Sequence, residues 1–157
     1  MNAGVSVNPC GEMSWAQQTT ATVADLAAIE LRRIVDVLQV EHASLFLHDA
    51  DRRAGVAEVA SVGLAAEDAL PEHGGVVGDV MHSGRVHEVE HSRDGCSAIA
   101  VPLLDEGEAV GVLLVATVRE SRRLGTFDTK VIARAAETLV DRIVAPRRRR
   151  VSDRFSR

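Results

Sequence analysis

Apolar and polar residues alternate along the chain with two different periods, and these divide it into helical and extended segments. From Ser14 to about Val40, apolar side chains recur at Val23, Ala27, Leu31, Ile34 and Leu38, the spacing that lines one face of an α-helix. Leu26, Ile29 and Val37 widen this stripe, which predicts contact with a sheet and also with a partner helix. Ser14 followed by Gln17 is a capping-box pair and predicts where the helix starts. Two β-rich runs, 43–49 and 56–63, then enclose the turn-forming DADRRAG, so a hairpin is expected. In its first strand Ser44, Phe46 and His48 share one face, and Ala43, Leu45 and Leu47 the other. Neither face is plainly polar, so both are expected to be covered.

Past Gly63, AAEDAL predicts one helical turn, PEHGG interrupts it, and VVGDVMHSG predicts a short helix stopped by Gly84. VHEVE (86–90) reads as a short strand. CSAIAVPLLDEGEAVGVLLV then supplies two long strands, about 97–104 and 109–118, joined at DEGE, where Gly107 offers the positive φ of a tight turn. A final helix, capped by Thr126 or Asp128, runs to about Val144 and ends at Pro146. This order predicts an α+β domain whose antiparallel sheet carries the long terminal helices on one face. The small helical insert covers the other face, with a pocket between sheet and insert.

At 157 residues this is one domain, 14–145, between a disordered 1–13 and a basic disordered tail, 146–157. The tail PRRRRVSDRFSR holds six Arg against one Asp, so the overall charge of −5 leaves −10 on the rest. A body of that sign does not attract phosphate backbones, and nucleic-acid contact is left to the tail, read first as a solubilising terminus. RRRRVS also fits a basophilic kinase site at Ser152. Cys10 and Cys96 lack CxxC spacing, which fits a reducing cytosol. With no signal-like start and no stretch long enough to span a bilayer, a soluble, cytoplasmic protein is expected. Seventeen Arg against one Lys point to a GC-rich bacterial source.

The segments GVVGDVMHSGRVHEVE, SAIAVPLLDEGEAVGVLLV and FDTKVIARAAETLVDRI, in that order, resemble the GAF domain family of small-molecule sensor modules over about residues 20–145. The resemblance implies a six-stranded antiparallel sheet, terminal helices that pack in a homodimer, and a ligand pocket on the opposite face. It places Phe46, His48, Val76, Val80, His91, Cys96, Ser97 and Ile99 at that pocket. The expected function is a stand-alone sensor or regulatory domain, without an output domain, that binds a small molecule and signals through dimer or partner contacts.

Two pocket residues carry sharper alternatives. Free methionine-R-sulfoxide reductases, catalytic relatives of the family, use pocket cysteines, which would make Cys96 the attacking thiol. Cys10 is the only other thiol, and Ala98 stands where those enzymes carry an acidic residue, so a buried, inert Cys96 is the plainer reading. Haem-binding relatives place an axial histidine just before the Val-Pro strand, which singles out His91 against a solvated loop histidine beside Ser92 and Arg93. His48 reads as a hydrogen-bonded core histidine, and the six histidines form no metal motif such as HExxH. The dispersed cyclic-nucleotide signature is matched only partly and out of order around Lys130. A ligand-free dimerisation module is the remaining alternative, favoured if Leu, Val and Phe side chains fill the pocket.

Overall fold

In the computed structural model, helix α1 (Trp15–Leu38) buries Val23, Ala27, Leu31, Ile34 and Leu38, the stripe that its periodicity predicts. Residues 15–49, 51, 55–63, 73–91, 96–118, 122–146, 149 and 154 are described. The expected capping serine Ser14, the AAEDAL turn, residues 1–13 and all but three positions of 146–157 lie outside them. α1 ends because Gln39 turns to φ 53° and its side chain returns a hydrogen bond to Asp36 O at 2.6 Å.

Strands β1 (His42–His48) and β2 (Val56–Gly63) form the expected hairpin. Gly63 sits at φ 91°, and a Cβ there would run into the carbonyl oxygen of Glu41, so only glycine fits where β2 ends beside β1. Helix α2 (His73–Ser83) starts three residues before Val76, taking in the glycines read as a break. It stops as expected at Gly84, whose N–H reaches Val80 O at 2.9 Å. β3 (His87–His91), β4 (Cys96–Asp105) and β5 (Glu108–Thr117) follow. The β4–β5 turn uses positive φ at Glu106 (53°) as well as Gly107 (84°), the mirror-image turn that suits the twist of a hairpin. Helix α3 (Thr126–Leu139) continues through a wider π-type turn, Val140–Val144.

The strands lie in the order β2-β1-β5-β4-β3, and every neighbouring pair is antiparallel. Five strands form the sheet among the described residues, against the six that the family resemblance implies; the sequence itself holds five β-rich runs. The sheet has a core on each face. Leu45, Ile99, Val101, Leu103, Leu113 and Val115 pack beneath α1 and α3. Phe46, Ala98, Ala100, Val112, Leu114 and Ala116 pack with Val77 and Val80 of α2. Alternation sends consecutive side chains of β1, β4 and β5 to opposite cores, which accounts for their unbroken apolar runs.

Arg122, between β5 and α3, ties three element ends together. Its guanidinium donates to both Asp128 carboxylate oxygens, at 2.6 and 3.3 Å, and to Leu38 O at the end of α1, at 3.2 Å. Asp128 also accepts the Gly125 N–H at 2.7 Å, so it closes the first turn of α3 from inside the helix, with Gly125 at the cap position given to Thr126 or Asp128 from sequence. Glu41 accepts the Val118 N–H at 3.1 Å, joining the start of β1 to the end of β5. Burial of Asp128 opposes its ionisation, but the hydrogen bonds from Arg122 and Gly125 outweigh this and hold its pKa below the usual carboxylate value.

Asp128→Asn should therefore lower stability by roughly 2 kcal/mol in chemical denaturation near neutral pH. Because the folded-state pKa is depressed, the wild-type advantage is complete above the unfolded carboxylate pKa. It should vanish as pH falls through the Asp128 value, which a denaturation series in acid measures.

Candidate functional site

The face beneath α2 is built from registered rows. His42 pairs with Gly63 on one side and Ala116 on the other, and Ala116 pairs with Ala98, which pairs with Val89. The next row runs Ser61, Ser44, Leu114, Ala100 and His87, and the third brings Phe46, Val112 and Pro102 together. Directly opposed residues of an antiparallel pair share a face, so these rows form one floor. Ala98, Ala100 and Ala116 keep it shallow. Val77 and Val80 of α2 rest on this floor, with Val76 and Met81 at its edge.

Two fully buried polar side chains stand on this floor, while Ser61 and His87 lie at its margins. His42 and Ser44 are both fully buried, and the imidazole Nε2 lies 3.0 Å from the Ser44 hydroxyl. The tautomer decides which of the two donates. A buried hydrogen-bonded pair on an apolar floor fixes direction where the surrounding contacts fix only shape.

Of the residues expected at the pocket, Phe46 and Val80 are buried together on this floor and Val76 lies beside them. His48 is a correction: it is exposed at the end of β1, where the strand runs out of cover, and the buried, hydrogen-bonded histidine is His42. Ser97 and Ile99 are also corrections. They alternate out of phase with Ala98, so Ile99 joins the core under α1 and α3 and the Ser97 hydroxyl accepts the Leu124 N–H at 3.4 Å. His91 and Cys96 stand directly opposite each other in the β3–β4 register; their side chains, and Cys10, lie outside the described residues. Sequence reading missed His42 because it began β1 at Ala43, although a two-residue step back from Ser44 reaches it. Among the described residues no group of three His, Cys, Asp or Glu side chains is placed to hold a metal ion.

The model of the GAF domain family matches residues 22–144. No curated protein matches. Among solved structures, the chain resembles the GAF domain of a Coxiella burnetii phosphoenolpyruvate-protein phosphotransferase, at 16% identity and TM-score 0.63, covering 86% of this chain and 94% of that one. It is similar to GAF3 of a Synechocystis sp. protein in its photoproduct state, at 10% identity and TM-score 0.63, covering 86% and 99%. It is also similar to free methionine-R-sulfoxide reductase from Neisseria meningitidis in complex with its substrate, at 18% identity and TM-score 0.62, covering 84% and 87%. At these identities the likeness is one of fold.

Ser44→Ala removes a hydrogen-bond partner of a buried imidazole. It should cost about 1–3 kcal/mol in denaturant unfolding, more than an exposed Ser83→Ala control.

Proposed function

Since the chain belongs to the GAF domain family, we propose that it is a sensor or regulatory domain that binds a small molecule on the face beneath α2. Its signal passes on through contacts of α1 and α3 with a second copy or another protein. The observation that carries this reading is the His42–Ser44 pair, buried on a floor of alanine, valine, leucine and phenylalanine side chains. Such a floor suits a compact, largely apolar molecule with one hydrogen-bonding group. α2 is the element that must yield to admit it. It is 11 residues long, contains Gly74, Gly75 and Gly78, and docks chiefly through Val77 and Val80. The folded unit is residues 14–145, and among the described residues no helix is long and apolar enough to cross a membrane. A cytoplasmic location goes with this reading.

Specific observations favour two other readings. The close packing of Val77 and Val80 on Phe46 and Leu114 suits a ligand-free interaction module. A sulfoxide reductase would use Cys96, at the start of β4, as nucleophile, and a haem-binding domain would use His91, its partner in the β3–β4 register, to hold the iron. Native mass and the absorption spectrum of freshly purified protein, followed by thermal shift against a metabolite panel, separate the three. The expected outcome is excess mass or stabilisation by a small molecule. Bare mass with no stabilisation favours the ligand-free module, a Soret band abolished by His91→Ala makes the ligand haem, and methionine sulfoxide turnover lost in Cys96→Ser makes the protein an enzyme.

A further inference from the structure

α3 leaves the core with a run of arginines beyond it. Among the described residues, Val140 and Ile143 of the π-type turn are the last buried side chains of the chain. Pro146, read from sequence as the end of the helix, is in helical conformation and exposed, and so are Arg149 and Arg154 beyond it. The backbone passes the proline because the Ala145 N–H already returns five residues, to Val140 O, so the missing Pro146 donor falls where α-helical bonding is interrupted. A helix here sets like charges three and four residues apart and gains no buried face among its described residues, so it can open without disturbing the core.

The run stands at a fixed offset from one hydroxyl. In RRRRVS, Arg149 and Arg150 lie three and two residues before Ser152, with Arg147 and Arg148 ahead of them. No other serine or threonine of the chain has arginine at both positions: Thr126 has only Arg123 at −3, and Ser121 and Ser156 have only Arg119 and Arg154 at −2. Positive charge alone would suit any polyanion. Two guanidinium groups spaced from a hydroxyl suit a cleft whose carboxylates grip them while it holds the hydroxyl against a transferable phosphate. We propose that Ser152 is a phosphorylation site for a serine kinase that reads arginine at −3 and −2. The Ser152 hydroxyl oxygen bonds to the γ-phosphorus of a nucleoside triphosphate as the bond to the β-phosphate oxygen breaks. Nucleoside diphosphate leaves, and the hydroxyl proton passes to the base of the kinase. Ser152 is nine residues past Ile143, at most about 30 Å of extended chain, so the tail can enter such a cleft while the domain stays folded. The phosphate brings about two negative charges near neutral pH, which lowers a tail of six Arg and one Asp from +5 to about +3. None of this depends on a small molecule binding beneath α2.

Labelling of the full chain tests it. With γ-labelled nucleoside triphosphate, magnesium and a purified serine kinase selective for arginine at −3 and −2, the chain should take up one phosphate, mapped to Ser152 by fragment mass. An extract of cells that naturally make the chain should label the same residue. Ser152→Ala should abolish uptake, and Ser156→Ala should leave it unchanged. Arg149→Ala and Arg150→Ala should each lower kcat/KM at least about tenfold, since each removes one charge-assisted contact with the kinase. All four variants should unfold at the wild-type midpoint, which separates a lost recognition residue from a lost fold. Failure of either source to label Ser152, or labelling indifferent to Arg149 and Arg150, overturns the inference and leaves the ligand reading untouched.

Discussion

Burial of β1, β5 and β4 on both faces governs the remainder of this structure. Their backbone groups pair within the sheet, so side chains away from the strand ends enter one core or the other. A sheet of that kind is stable only with cover on each side, and the order of elements supplies it unequally. Two long helices take the face of Leu45, Leu113 and Val115, and one short helix takes the face of Phe46, Leu114 and Ala116. Chemistry then follows from phase. Ser97 and Ala98 are neighbours in sequence, yet one hydroxyl serves the connection into α3 and the other side chain floors the candidate site.

Two acidic residues of low exposure show how the chain treats charge. Asp128, 4% exposed, is met by a guanidinium and a backbone N–H, and its ionised form is favoured despite burial. Glu30, 7% exposed as a residue, lines the open groove between α1 and α3, so its carboxylate is not sealed from solvent. The first arrangement is complete within one copy and holds α1, β5 and α3 in place. A sealed carboxylate needs a cation or a donor within the fold, and one that lines an open groove can be hydrated instead.

Much of this was legible in the sequence. Helical periods, β-rich runs and the turn residues between them placed every described element to within a few residues. What periodicity cannot supply is the identity of a face when both are apolar. Ser97 and Ile99 were assigned to the pocket, and they belong to the other core, because β4 reads alike in either phase. Strand ends were the second weakness: His48 lies just beyond cover and His42 just within it, and alternation alone does not mark where cover stops. The α3 cap eluded sequence reading for a different reason, since Asp128 acts from within the helix on Gly125, with Arg122 as third partner.

The unequal cover of the two faces carries a mechanical consequence. Burying Val77 and Val80 contributes on the order of 2 kcal/mol each, while Gly78, in the middle of α2, costs about 1 kcal/mol relative to alanine. α2 is therefore the lighter of the two covers. The opposite face has no such slack, because Leu31, Ile132, Leu139 and Ile143 are all buried there against the sheet. A molecule that displaced α2 would work against the weaker cover, and the strands would carry any shift to α1 through residues such as Leu45 and Phe46, which face opposite cores from adjacent positions. The lightly covered side and the heavily covered side are thus the two faces of one sheet.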